Sequence, residues 1–140
     1  MMAPFVYEKA RANAALHIQL RRCRIAPQPA DATSVCVTGW VLRIFRNRGG
    51  PLHFGQKISF FVPIINSVGS APPMLDGTIR HAWDRIGPAR YLEAFLEFWD
   101  DEFHLVRSQV APIRRPTWRP VCGPETKGFL CKGNLWERKK

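Results

Sequence analysis

Histidine, cysteine and clustered carboxylates are the side chains of this chain best suited to chemistry, and their spacing limits what they can do together. His17, His53, His81 and His104 lie far apart and form neither an HxH nor an HExxH grouping, so no single strand or helix face offers two of them to one metal ion. Each reads as a core or surface histidine. The cysteines, Cys23, Cys36, Cys122 and Cys131, contain no CxxC pair, the short-loop arrangement that sets two ligands on one tetrahedral ion. They read as small buried or half-buried thiols. A Cys122–Cys131 bridge closing the loop between them would require an oxidising compartment. Asp100, Asp101 and Glu102 are consecutive, and neighbours in a turn project in different directions, which favours solvation over a shared acid–base or metal site. Glu93 and Glu97 would share the polar face of a strand, with Arg107 as an expected partner.

Patterns for a nucleophile or a phosphate loop are missing from the sequence as well. There is no GxSxG, and Val68-Gly69-Ser70-Ala71 lacks the second glycine of a nucleophile elbow. Arg48-Gly49-Gly50-Pro51 fits neither GxGxxG nor a GK[ST] loop. The expectation is a non-enzymatic protein with no catalytic residues, no cofactor and no metal.

Charge points to partners instead. The chain of 140 residues carries a net charge of +10. Residues 1–50 hold eight basic against two acidic residues, residues 51–110 five against seven, and residues 111–140 eight against two. Both ends are therefore basic and the middle mildly acidic. Ends that converge in space would make one positive face, which attracts phosphate backbones or an acidic partner. The plainer reading is that surplus arginine keeps the protein in solution.

The elements that must position these residues are mostly short strands. With 46% hydrophobic and 23% charged residues, 12 prolines and 10 glycines, the composition is that of one globular domain rich in turns. No apolar run approaches the roughly 18 residues of a membrane-spanning helix, and the opening MMAPFVYEKARANAALH lacks the apolar core of a signal peptide. The expectation is a cytoplasmic protein with no membrane association.

Residues 5–15, alanine-rich, predict a short helix. From Leu16 the pattern alternates, with Leu16, Ile18 and Leu20 against His17, Gln19 and Arg21, a strand that leaves the core near Arg22 and Arg24. Val35, Val37, Gly39 and Val41 oppose Cys36, Thr38, Trp40 and Leu42, and from Ile44 the alternation blurs. Gly39 inside such a strand marks a bulge or sharp bend. Ile58, Phe60, Val62 and Ile64 alternate cleanly with Lys57, Ser59, Phe61 and Pro63. Ile79, Ala82, Trp83 and Ile86 fall at helical spacing before a Gly87-Pro88 stop.

Residues 91–99 fit either period, but the polar turn at 100–102 and the β-rich segment 103–110 make a hairpin the simpler account. Beyond Pro112 the chain is basic and punctuated by proline and glycine, an irregular arm expected to be packed by Trp118, Phe129 and Trp136. The fold class is thus mainly β: a five-stranded barrel over about residues 15–113, with an N-terminal helix, a short helix between strands 3 and 4, and a C-terminal arm over 114–140.

That order resembles the OB-fold, a partly open five-stranded barrel. The run CVTGWVLRIFR…LHFGQKISFFVP is similar to the netrin/tissue-inhibitor branch, through Gly39, Val41, Phe45, Arg46, Gly55, Ile58, Phe60 and Val62. The disulfides and secretion signal of those secreted modules are not recognisable here, so the resemblance implies a barrel wall and no activity.

Two functions follow as expectations. The first is a small interaction module presenting a basic surface to a protein or acidic ligand. The second is a single-stranded nucleic-acid binder, which stacks bases on aromatics within a basic groove. The candidate surface is Trp40, Arg43, Arg46, Arg48, Lys57, Phe61 and Tyr91, with Phe95 as a further outward aromatic. Whether the arm caps Trp40, Phe61 and Tyr91 separates the two, since a capped barrel favours the plain interaction module. The sequence leaves the oligomeric state open.

Overall fold

Alternating apolar residues need a shared interior to face, and the computed structural model supplies it by curling one sheet. It describes residues 4–25, 34–65 and 80–122. The elements run α1 (Pro4–Asn13), β1 (Leu16–Ile25), β2 (Ser34–Asn47), β3 (Lys57–Ile65), β4 (His81–Ala82), α2 (Trp83–Ile86), β5 (Tyr91–Trp99) and β6 (Glu102–Ile113). The sheet order is β4-β3-β2-β1-β5-β6. All neighbours are antiparallel except β3 and β4. The curl makes a half-barrel and brings β3 against β6.

The interior is built from one side of every long strand. Leu16, Ile18 and Leu20 of β1 meet Val37 and Val41 of β2, Phe60 and Val62 of β3, and Leu92 and Leu96 of β5 in one buried cluster. Burying each such side chain stabilises the fold by about 1.5–3 kcal/mol. Ile86 of α2 joins the same cluster, so the short helix acts as a plug.

The seam between β3 and β6 is bridged by β4. His81 pairs with Ile64 of β3, and its Nε2–H donates to the Ser108 carbonyl of β6 at 2.8 Å. That carbonyl is available because β6 leaves its ladder with β5 between Ala94 and Leu96 of the partner strand, where Arg107 and Ser108 take positive φ. Burial, partly offset by the hydrogen bond to Ser108, pushes His81 down to about 4, with the Arg85 charge lowering it further. The imidazole is therefore neutral at pH 7, with its one ring proton on Nε2 toward Ser108.

The structure corrects the expected elements in two places. A sixth strand, β4, occupies His81–Ala82, where helical spacing predicted the first part of a helix. The helix itself is only Trp83–Ile86; residues 78 and 79 lie outside the described residues. Pairing His81 and Ala82 with β3 satisfies their backbone in the sheet. Residues 91–99 are strand: Asp100 and Asp101 both have positive φ, as a two-residue primed hairpin turn demands, and Trp99 pairs directly with Glu102.

The blurred register from Ile44 has a specific cause. β2 holds one extra residue against Gln19/Leu20 and another against His17/Ile18, so Arg43 opposes Gln19, Ile44 opposes Ile18 and Arg46 opposes His17. Each bulge flips the following side chains by one face. Trp40, Arg43 and Arg46, three residues apart, consequently share the outer face. Gly39 is needed for the close approach of β1 and β2, because a Cβ there would lie 2.5 Å from Leu20 Cδ1 and 2.6 Å from the Arg21 carbonyl oxygen.

Candidate functional site

The outer face of the sheet carries three cross-strand rows of polar and aromatic side chains. In the first, Lys57, Trp40, Arg21 and Tyr91 lie side by side across β3, β2, β1 and β5. The second runs Arg43, Gln19, Glu93, and the third Arg46, His17, Phe95. Successive rows are about 7 Å apart, two strand residues.

The second and third rows are roofed over their β1 and β5 parts. Helix α1 and the arm segment 114–122 lie on this side, burying His17, Gln19, Glu93 and Arg11. Glu93 is fully buried and its two carboxylate oxygens accept four N–H groups. Oε1 accepts from Gln19 Nε2–H at 2.6 Å and from the Val121 amide at 2.9 Å. Oε2 accepts from His17 Nε2–H at 3.0 Å and from the Cys122 amide at 2.7 Å.

Gln19 also accepts from the Thr117 amide at 2.8 Å and donates to its hydroxyl oxygen at 2.7 Å. His17 is stacked on Phe95 at 3.9 Å. The donors and acceptors of Gln19 and Glu93 are thus matched, as a buried polar cluster must be. Its role in the fold is a clamp that fixes the arm by its backbone.

The clamp sets the position of Trp118. One residue past Thr117, its indole lies over the Arg43 guanidinium, 4.8 Å from centroid to Cζ, and the ring is 87% exposed. The first row is open: Trp40 is 41% exposed with Lys57 Nζ 5.2 Å from its ring centre. Phe61, 62% exposed, stands two residues along β3 from Ser59, whose hydroxyl is 2.7 Å from that of Thr38. Cations held over indoles in this way contribute roughly 0.5–1 kcal/mol at exposed positions.

The seven candidate residues divide accordingly. Trp40, Lys57 and Phe61 share the open part of the outer face. Arg43 joins them through the bulge, under Trp118. Tyr91 stands at the half-buried end of the first row. Arg48 is exposed on the connector, its amide bound to the Ala15 carbonyl at 2.9 Å.

Arg46 belongs elsewhere. Its Nη1 donates to the Arg11 and Ala14 carbonyls at 2.8 and 2.7 Å, satisfying the orphan carbonyls at the end of α1. Burial, together with the nearby Arg48 charge, lowers its pKa. It therefore caps the end of α1.

Other expectations change too. Phe95 is buried beneath the roof, so it offers no stacking surface. Glu93 is held by His17 and Gln19 rather than by Arg107. Trp118, expected to pack the arm, instead faces outward; Phe129 and Trp136 lie outside the described residues. Cys122 is disulfide-bonded, Cys23 and Cys36 are free thiols, and Cys131 lies outside the described residues. Among the described residues no cluster of three or more His, Cys, Asp or Glu can hold a metal ion.

Sequence reasoning did not name Arg21 and Trp118 as parts of the open face, nor Gln19 and Glu93 as a clamp beneath the arm. The alternation of β1 did place Arg21 and Gln19 on the non-core side; nothing local marked one as open and the other as covered.

Fold and face together define a mainly β half-barrel with an open aromatic and basic wall. No protein-family model matches the chain, and no curated protein matches it. None of its helices among the described residues is long and apolar enough to cross a membrane.

Proposed function

We propose that this protein is a small non-enzymatic interaction module that binds an acidic ligand on the outer face of β2 and β3. The observation that carries this reading is the open row Lys57–Trp40–Arg21, an exposed indole between two cations. A bare indole is costly in water, and monomeric surfaces that expose large apolar side chains beside fixed charge commonly use them for contact. The net charge of +10 supplies long-range attraction for an anion. Four acidic residues, Glu97, Asp100, Asp101 and Glu102, gather on the β5–β6 hairpin tip instead, leaving the outer face cationic.

A cytoplasmic location is part of the proposal. The disulfide at Cys122 stands against it, because cytosolic thiols are normally kept reduced. Cell fractionation that recovers the protein with cytoplasmic markers would support the placement, and recovery with exported proteins would refute it.

The binding test uses polyglutamate and inorganic polyphosphate as probes at low and high salt. Micromolar binding to at least one at low salt, weakened about tenfold or more by Lys57→Glu combined with Arg21→Glu, supports the reading. Unchanged affinity in that charge-reversed variant refutes it.

A further inference from the structure

The outer face holds more than a charge pattern, because its two exposed indoles come from distant parts of the chain and are both fixed by cations. Trp40 is set in β2 beside Lys57, and Trp118 is carried across the sheet by the arm and laid on Arg43. Beside Trp40 on β1 stands Arg21, two residues from the Gln19 that receives the arm. We propose that Trp118 and Trp40 form one composite stacking platform for single-stranded nucleic acid, with Lys57, Arg21 and Arg43 as its phosphate contacts. The inference rests on the binding reading above and names its ligand.

Three features favour this ligand over an acidic protein segment. Flat aromatic faces with cations beside them suit a polymer that alternates π-faces and anionic groups, whereas aspartate and glutamate present charge and no π-face. Trp118 is 87% exposed, so an occupant that only neutralised charge would leave its ring uncovered. The platform is also preorganised: Arg43 fixes one face of the Trp118 ring, and Gln19 and Glu93 fix its backbone through Thr117, Val121 and Cys122. Ordering completed before binding leaves less entropy to lose on association. Duplex recognition fits less well, since bases inside a helix keep their faces stacked on one another.

Glu93 and Gln19 are positioning residues in this scheme. They touch no ligand and act by holding Trp118 above Arg43.

The experiment is a fluorescence titration of the full chain with a short oligothymidylate, run in parallel with inorganic polyphosphate and polyglutamate of matched charge. The expected result is quenching of tryptophan emission and tighter binding of the oligonucleotide than of either base-free polymer. Trp118→Ala and Trp40→Ala should each weaken oligonucleotide affinity at least about fivefold, a larger factor than either variant loses for polyphosphate. Trp118→Tyr should restore most of the loss. Because the Trp118 side chain is solvent-exposed, its replacement leaves the fold intact, which a thermal melt verifies.

If all three polymers bind alike and the tryptophan variants change nothing, the nucleic-acid inference is overturned while the acidic-ligand reading stands. Tighter binding of polyglutamate than of the oligonucleotide has the same consequence. Failure of all three to bind overturns both.

Discussion

Gln19 and Glu93, neighbours across β1 and β5, meet fully buried with Gln19 Nε2–H donating to Glu93 Oε1 at 2.6 Å. Both sit on the face of the sheet opposite the hydrophobic interior. Their burial comes from the arm, whose backbone they bind, and so the side chains that bury the arm are polar.

Removing the Glu93 carboxylate should therefore cost more than one hydrogen bond. Glu93→Ala leaves the Gln19 and His17 donors and the Val121 and Cys122 amides without their acceptor, and a loss of about 3 kcal/mol is expected in denaturant unfolding. Glu93→Gln keeps one acceptor oxygen and should lose less. Hydrogen exchange at Val121 and Cys122 should rise in both variants, before exchange in the β1–β2 ladder does.

Acid should weaken the seam through His81. Its pKa is about 4 in the folded chain against roughly 6.5 when unfolded, so the unfolded state takes up a proton first as pH falls. The stability contributed by the neutral imidazole is fully present above about pH 6.5 and is lost between there and about pH 4. Over that window the loss is about 3 kcal/mol. His81→Gln keeps a donor for the Ser108 carbonyl and does not titrate, so its stability should fall less over the same range in urea titrations. Identical pH profiles for the two proteins would contradict the assignment.

Gly39 is predicted to be intolerant of any side chain. The Cβ of Gly39→Ala would press on the Arg21 backbone as well as on Leu20, and backbone cannot swing aside as a side chain can. An overpacking loss of about 2 kcal/mol is expected, read as a lowered denaturant midpoint with an unchanged slope.

The β5–β6 turn should accept improvement. Asp100 and Asp101 both occupy positive φ, where asparagine and glycine are better suited. Combining Asp100→Asn with Asp101→Gly should stabilise the protein by about 1 kcal/mol, measured by thermal unfolding.

Much of the barrel wall was legible in the residue pattern alone. The clean alternation of β1 and β3 named the inward residues, Gly39 marked an irregularity that lies at the register shift between Arg22 and Arg24 of β1, and the order of five long strands with a helix after the third is the order observed. Period 2 is a local property of a pleated strand with one buried face, so local sequence is enough to show it.

What failed locally was the second half of β2. Two bulges break the period there, and a bulge is defined by the partner strand, which the β2 sequence does not contain. The same reason moved Arg43 and Arg46 onto the face of Trp40, and set one beneath Trp118 and the other at the end of α1.

The sequence alone thus determined which side of the sheet is apolar, that residues 91–110 form a hairpin and that the protein is strongly basic. Only the tertiary structure decided which part of the polar side stays open. That choice depends on where the arm returns, a contact between residues about a hundred positions apart such as Gln19 and Thr117. No periodicity within a strand encodes it, because Gln19 and Arg21 look alike in sequence until something packs on one of them.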